Sequence, residues 1–241
     1  MTDHLKINGH SEIFKRPIFV LGLPRSGTSM VAGLITEFGV WAGDTIAGGP
    51  ENPKGFFENR AIRENLIKPV LKHMGCDPVG VKILPDANKR MKLVFPTKEG
   101  NIELCEKLHR MITHQGYDHA QRWMYKDAKL TLLWRSFLAD FPGADWVIVR
   151  RKKEGFIKSC LNTSFMAHHS SDPKFWENFA DAYNLRLDLL QQKASNVHEI
   201  HVEKIFEGDL SQLKSVSDTI GIQFNKAKVN KFVDRKHWHH S

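Results

Sequence analysis

Val20-Leu21-Gly22-Leu23-Pro24-Arg25-Ser26-Gly27-Thr28-Ser29 is the stretch on which the fold turns. Before it, Pro17-Ile-Phe-Val-Leu-Gly22 is a short continuous apolar run, the pattern of a parallel strand buried on both faces. After it, Met30, Val31, Leu34, Ile35 and Phe38 recur at helical spacing, and Gly39 ends the pattern. A glycine-rich turn between a buried strand and an amphipathic helix is the setting a phosphate loop needs. The glycines let successive N–H groups turn toward an anion, and the helix N-terminus adds its unpaired donors and positive dipole end. Thr28 and Ser29 place hydroxyls in the first turn.

Gly22 and Gly27 stand four residues apart, as in the Walker A pattern. That pattern has Lys directly after the second glycine, and here the position is Thr28. The loop's cation is Arg25, so a magnesium-ATP role is disfavoured, while a phosphate grip is kept.

Further along, residues 43–58 are rich in Gly, Pro and Asn and read as a long loop. Residues 59–74 read as a helix, as does the stretch bearing Leu104, Cys105, Leu108, Met111 and Ile112. Residues 77–98 show no clear pattern. Arg122-Trp-Met-Tyr-Lys126 reads as a strand, followed by an amphipathic helix bearing Leu130, Leu133, Trp134, Phe137 and Leu138. Trp146-Val-Ile-Val149 is a second buried strand, and Phe156 to Phe165 a further helix face. A long helix is expected over 173–194, a strand at Ile200-His-Val202, and helices near 209–220 and 227–235. This alternation predicts an α/β protein, a three-layer arrangement with a central, mostly parallel sheet flanked by helices.

Composition agrees. The 241 residues suit one domain over 1–241, with 1–16 as an N-terminal extension and 225–241 as a flexible C-terminal tail. Hydrophobic residues make up 41 %, enough for a sizeable core. No apolar run reaches the roughly 20 residues of a membrane span, and no secretory h-region is expected at the N-terminus. Three scattered cysteines, Cys76, Cys105 and Cys160, argue against a disulfide framework and for a cytoplasmic setting. The net charge of +8 favours anionic partners. Its dispersion along the chain argues against nucleic acid.

Pro24-Arg25-Ser26-Gly27-Thr28-Ser29 after an apolar strand resembles the 5′-phosphosulfate loop of sulfotransferases that use 3′-phosphoadenosine 5′-phosphosulfate (PAPS). The resemblance implies a P-loop-like fold, and a grip on the 5′-phosphate and sulfuryl group by residues 24–29. It implies that Arg25 stabilises the bridging oxygen as the sulfuryl group leaves, with no metal required. A second family element is a strand ending in Arg with Ser eight residues later, together binding the 3′-phosphate. Here Trp146-Val-Ile-Val-Arg150-Arg151 and Ser159 correspond. Arg151 has the spacing, Arg150 directly follows the strand, and Arg151 is slightly favoured. Asn52-Pro-Lys-Gly-Phe-Phe-Glu58-Asn59 and Tyr125-Lys126-Asp127 resemble the smaller bacterial and phage-type members, and Ile200-His-Val-Glu203 their late strand. The resemblance runs over roughly 17–224.

Transfer also needs a base. Glu58 is the first candidate, with His168 and His169 behind it. Lys126 and Asp127 would orient the acceptor or form a strand-end salt bridge. The acceptor, a sugar, lipid head group, small alcohol or protein side chain, is not readable from the residues. The expected product is adenosine 3′,5′-bisphosphate (PAP). Two rivals stand beside this reading, a magnesium-ATP kinase and a binding module that has lost catalysis. His237, His239 and His240 form a weak zinc candidate, and Arg235-Lys236-His237 departs from the family's C-terminal Arg-Lys-Gly.

Overall fold

The computed structural model describes residues 11–50 and 52–233. The chain opens with helix α1 (Ser11–Lys15), strand β1 (Ile18–Gly22) and helix α2 (Thr28–Glu37). After a long loop, α3 (Arg60–Ile62), a wider π-turn (Arg63–Ile67) and α4 (Lys68–His73) run on as one helical stretch. A hairpin of β2 (Val94–Thr97) and β3 (Gly100–Glu103) leads into α5 (Leu104–His114). Then come β4 (Met124–Lys126), α6 (Leu130–Asp140) and β5 (Asp145–Arg150). Helices α7 (Lys153–Asn162), α8 (Ser164–Ala167) and α9 (Pro173–Lys193) precede β6 (Val197–His201). Helices α10 (Val202–Glu207), α11 (Ser211–Ile220) and α12 (Lys226–Phe232) follow.

The main sheet has four strands in the order β4-β1-β5-β6, and every pairing is parallel. All five β1 residues are buried. Phe19 and Leu21 point into one core with α5, α6, α7 and α9; Ile18 and Val20 point into the other with α2, α11 and α12. This period-2 split of an uninterrupted apolar run is what a strand covered on both faces requires. The connection leaving β1 therefore packs on one face, and those leaving β4 and β5 pack on the other. Such a reversal opens a crevice at the carboxyl ends of the strands.

Three expectations shift. The strand expected at Ile200–Val202 lies at Val197–His201, in register with Trp146–Arg150, and Val202 instead begins α10. As an edge strand, β6 recruits His198 and Glu199 through its pairing with β5, so no apolar run marks it. The β2–β3 hairpin was not legible, because only Ile102 among its residues is buried. The helix expected through Phe165 breaks at Thr163, whose extended backbone (φ −99°, ψ 119°) separates α7 from α8. At the ends, Phe14 of α1 and Val229 of α12 are buried in the two cores. Residues 234–241, with the Arg235-Lys236-His237 and zinc candidates, lie outside the described residues.

At the opposite end of the sheet from the crevice, Arg122 ties three elements together. Its Nη2 donates to Asp145 Oδ2 at 2.6 Å, and its Nη1 donates to the Ile220 carbonyl at 2.6 Å. His198 Nε2 lies 3.3 Å from Asp145 Oδ1. Burial pushes the Asp145 pKa up, but hydrogen bonds from His198 and Arg122 outweigh it and hold the carboxyl below its ordinary value. A depressed pKa means that this stability is present above the unfolded value near 3.9 and is lost as pH falls through the folded value. Asp145→Ala should therefore cost about 3 kcal/mol at pH 7. The gap to wild type should narrow as melting curves are taken from pH 5 downward, and a constant gap would refute the linkage.

Candidate active site

Each parallel strand delivers residues to the crevice from its carboxyl end. Pro24 to Ser29 follow β1, Lys126 to Lys129 end and follow β4, Arg151 follows β5, and Phe206 lies beyond β6. With residues 52–58 and parts of 79–81 and 165–166, these segments, Ser26 and Asp127 excepted, line a cavity of about 330 Å³, within the usual range for small-ligand sites.

The phosphate loop is built for an anion. Gly27 sits in left-handed backbone (φ 89°) as the N-cap of α2, and no side chain caps the helix. Its first-turn N–H groups thus face the cavity with the dipole behind them. Arg25 also holds positive φ, at 64°, a costly conformation for a side-chain-bearing residue. Its Nε donates to Ser159 Oγ at 3.4 Å, and its guanidinium lies 5.9 Å from the Phe165 ring centroid. Arg151 Nη1 donates to the Arg25 carbonyl at 2.7 Å. Burial, with the neighbouring Arg25 charge, lowers the Arg151 pKa. Behind this pair, burial pushes the Cys160 thiol up to about 12, so it carries no nucleophilic thiolate near neutral pH.

Beside the loop stands a charged relay. Lys126 Nζ donates to Ser29 Oγ, to the Phe56 carbonyl and to Glu58 Oε1, each at 3.0 Å. Arg63 Nε lies 3.2 Å from Glu58 Oε2. Lys129 Nζ lies 2.8 Å from Asp127 Oδ1, whose carboxyl also accepts from Tyr125 Oη at 2.8 Å. Burial alone would raise the Asp127 pKa, yet the Lys129 charge and hydrogen bonds bring it below its ordinary value.

The sequence-read residues fare unevenly. Pro24, Arg25, Gly27, Thr28, Ser29, Glu58 and Arg151 all line the cavity. Ser26 does not: it is fully buried and its hydroxyl donates to the Leu23 carbonyl at 2.7 Å, closing the turn. Ser159 is buried behind Arg25 and meets its guanidinium, outside the cavity wall. The structure also separates the two adjacent arginines. Arg150 is held by Glu199 at 2.8 Å, Asp188 at 2.6 Å and Asn184 at 3.1 Å, away from the cavity. That follows from strand alternation, which sends successive side chains to opposite sides. His168 and His169 are absent from the cavity lining. Sequence reasoning missed Arg63, Lys129, Tyr183, Phe206 and Phe232, which line the cavity but lie in no motif or spacing that marks a ligand site.

Comparison with known proteins decides the family. A sulfotransferase family model matches residues 17–226. The chain belongs to the sulfotransferase family. Two solved sulfotransferase domains share its fold. One, from the Synechococcus PCC 7002 olefin synthase, has a TM-score of 0.55 at 15 % identity, over 94 % of this chain and 81 % of that one. The other, from the curacin biosynthetic pathway, has a TM-score of 0.56 at 14 % identity, over 91 % and 79 %. No curated protein gives a significant match. As a sulfotransferase, the chain is a transferase. Among its described residues no helix is long and apolar enough to cross a membrane, and no group of three or more His, Cys, Asp and Glu gathers as a metal set.

Proposed function

We propose that this sulfotransferase moves a sulfuryl group from PAPS to a hydroxyl or amine acceptor, leaving PAP. One observation carries the reading: two arginines from separate elements meet at the uncapped N-terminus of α2, linked through Arg25 Nε–Ser159 Oγ and Arg151 Nη1–Arg25 O. A helix N-terminus and two guanidinium forks fit a ligand with two phosphate-bearing ends.

When bound, PAPS supplies an activated sulfuryl group. Transfer breaks the S–O bond to the 5′-phosphate, whose oxygen keeps the electron pair, and forms an S–O bond to an acceptor hydroxyl or an S–N bond to an acceptor amine. The amides of residues 27–29 hold the 5′ end. Arg25 neutralises charge developing on the bridging oxygen, and Arg151 takes the 3′-phosphate. Positioning and charge stabilisation of this kind supply most of the rate in such transfers. Glu58 receives the acceptor's proton, and Lys126 fixes Glu58 and Ser29 relative to each other. No step calls for a metal. The free thiols of Cys76, Cys105 and Cys160 support a reducing, cytoplasmic setting.

Thermal-shift titration tests the reading. PAP at about 100 times its Kd should stabilise the protein by about 2.7 kcal/mol, a rise of about 5–10 °C, while magnesium-ATP gives little. Arg151→Ala should shrink the PAP shift and spare that of adenosine 5′-phosphate, which lacks the 3′ group. Equal losses would move the 3′-phosphate site elsewhere, and silence from PAP would overturn the reading.

A further inference from the structure

Beyond the phosphate loop the cavity changes character. Its walls there are Val79, Val81, Phe165, Met166 and Phe56. Val79 and Phe165 are 49 % and 44 % exposed, two of the few large apolar side chains left open on the described surface. They are not loose. The Asp77 carboxylate accepts from the amides of Val79 and Val81 at 2.9 Å and of Lys82 at 3.0 Å. Tyr183 Oη donates to the Gly80 carbonyl at 2.9 Å. Gly80 has φ +78°, and a Cβ there would meet Leu132 Cδ1 and Tyr183 Oη at 3.0 Å. A hydrogen-bonded loop thus holds Val79 open to water at a cavity mouth shared with Phe165 of α8, an arrangement that marks a contact site.

Several of the charges around this wall are paired. Lys129 is paired with Asp127, Lys126 with Glu58, and Arg63 with both Glu58 and Glu64, the last at 3.4 Å. Lys54, at the rim, donates to the Phe232 carbonyl and sits 4.7 Å from that ring's centroid. Arg25 and Arg151 serve the donor. Lys54 keeps a positive charge that neither the carbonyl nor the ring neutralises, so charge alone does not choose the acceptor. A polyhydroxylated one would find apolar surface where it needs hydrogen-bond partners, which is costly on desolvation.

We infer that the acceptor is an alcohol or phenol with an apolar body, seated against Val79, Val81, Phe165 and Met166 with its hydroxyl toward Glu58. This rests on the sulfuryl-transfer reading. The reaction forms a sulfate monoester on that hydroxyl, its proton passes to Glu58, and the electron pair of the broken bond stays on PAP.

The test uses the full chain, PAPS, and PAP release as the readout. The probes are 2-naphthol and 1-octanol against glucose and N-desulfated heparin. Expected is a kcat/KM for at least one apolar probe about 100-fold above both carbohydrates. Val81→Asp should cut kcat/KM for that probe about tenfold or more, mainly through KM, with the PAP melting shift retained. Val79→Asp, at an exposed position where folding is not at risk, should act in the same direction. A preference for either carbohydrate, turnover of neither apolar probe, or indifference to Val79→Asp would overturn the inference while the PAP shift still upheld the donor site. Loss of the PAP shift in the wild-type chain would instead overturn the transfer reading and this inference with it.

Discussion

Arg25→Ala leaves a folded protein whose turnover with PAPS falls about 10²–10³-fold, the usual loss when a donor aimed at developing charge is removed. The fold survives because only the side chain is lost. The carbonyl that accepts from Arg151 Nη1 is kept, and neither core contains Arg25. What disappears is the cation poised between Ser159 and the open end of α2. Ser159 Oγ and the Phe165 ring hold that guanidinium in place before any ligand arrives, so its contribution carries little reorganisation cost. Arg25→Lys should recover part of kcat by restoring the charge, though not the fork that meets Ser159. Single-turnover rates and melting curves for both variants check this together. Wild-type turnover in Arg25→Ala would remove Arg25 from the chemistry, and a large melting loss would make its role structural.

Much of the scaffold was legible because burial on both faces leaves a sequence mark. Ile18–Gly22 and Trp146–Val149 are continuous apolar runs, the pattern of a parallel strand covered on both faces. The glycine pair and Arg25 were legible because a turn against a helix N-terminus needs those residue types. Side-chain direction was not. Ser26 looked like a ligand group, yet a single rotation sends its hydroxyl to the Leu23 carbonyl. The doubled arginine could be separated only once β5 fixed which side Arg150 faces. The Lys126–Glu58–Arg63 set joins residues from three elements, and no spacing rule encodes such a meeting. The acceptor wall was not legible, since residues 77–98 showed no clear pattern and Phe165 read as part of a helix face. Its apolar character came from Val79, Val81, Phe165 and Met166, which in sequence resemble core residues.

The displaced end of β6 carries the second large effect. The strand ends at His201, one residue before Val202. Because α10 begins there instead, Val202 packs directly over Gly27, and a Cβ built on Gly27 would lie 2.6 Å from Val202 Cγ2. Gly27 also has φ 89°, where a side chain is strained by sterics alone. Gly27→Ala therefore incurs two separate penalties and should destabilise the protein by about 2–4 kcal/mol. The overlap can be relieved only by moving the first turn of α2 or α10. Either movement shifts the anion-binding amides, so PAP affinity should fall about tenfold or more. Val202→Ala removes the overlap but leaves the backbone strain. The double variant should thus be more stable than the two single losses predict, with a coupling of about 1–2 kcal/mol, and PAP affinity should partly return. Chemical denaturation of the four proteins in the cycle, with a PAP titration of each, measures both quantities. Strict additivity would mean that Val202 does not hold the phosphate loop, and the penalty at Gly27 would then be backbone strain alone.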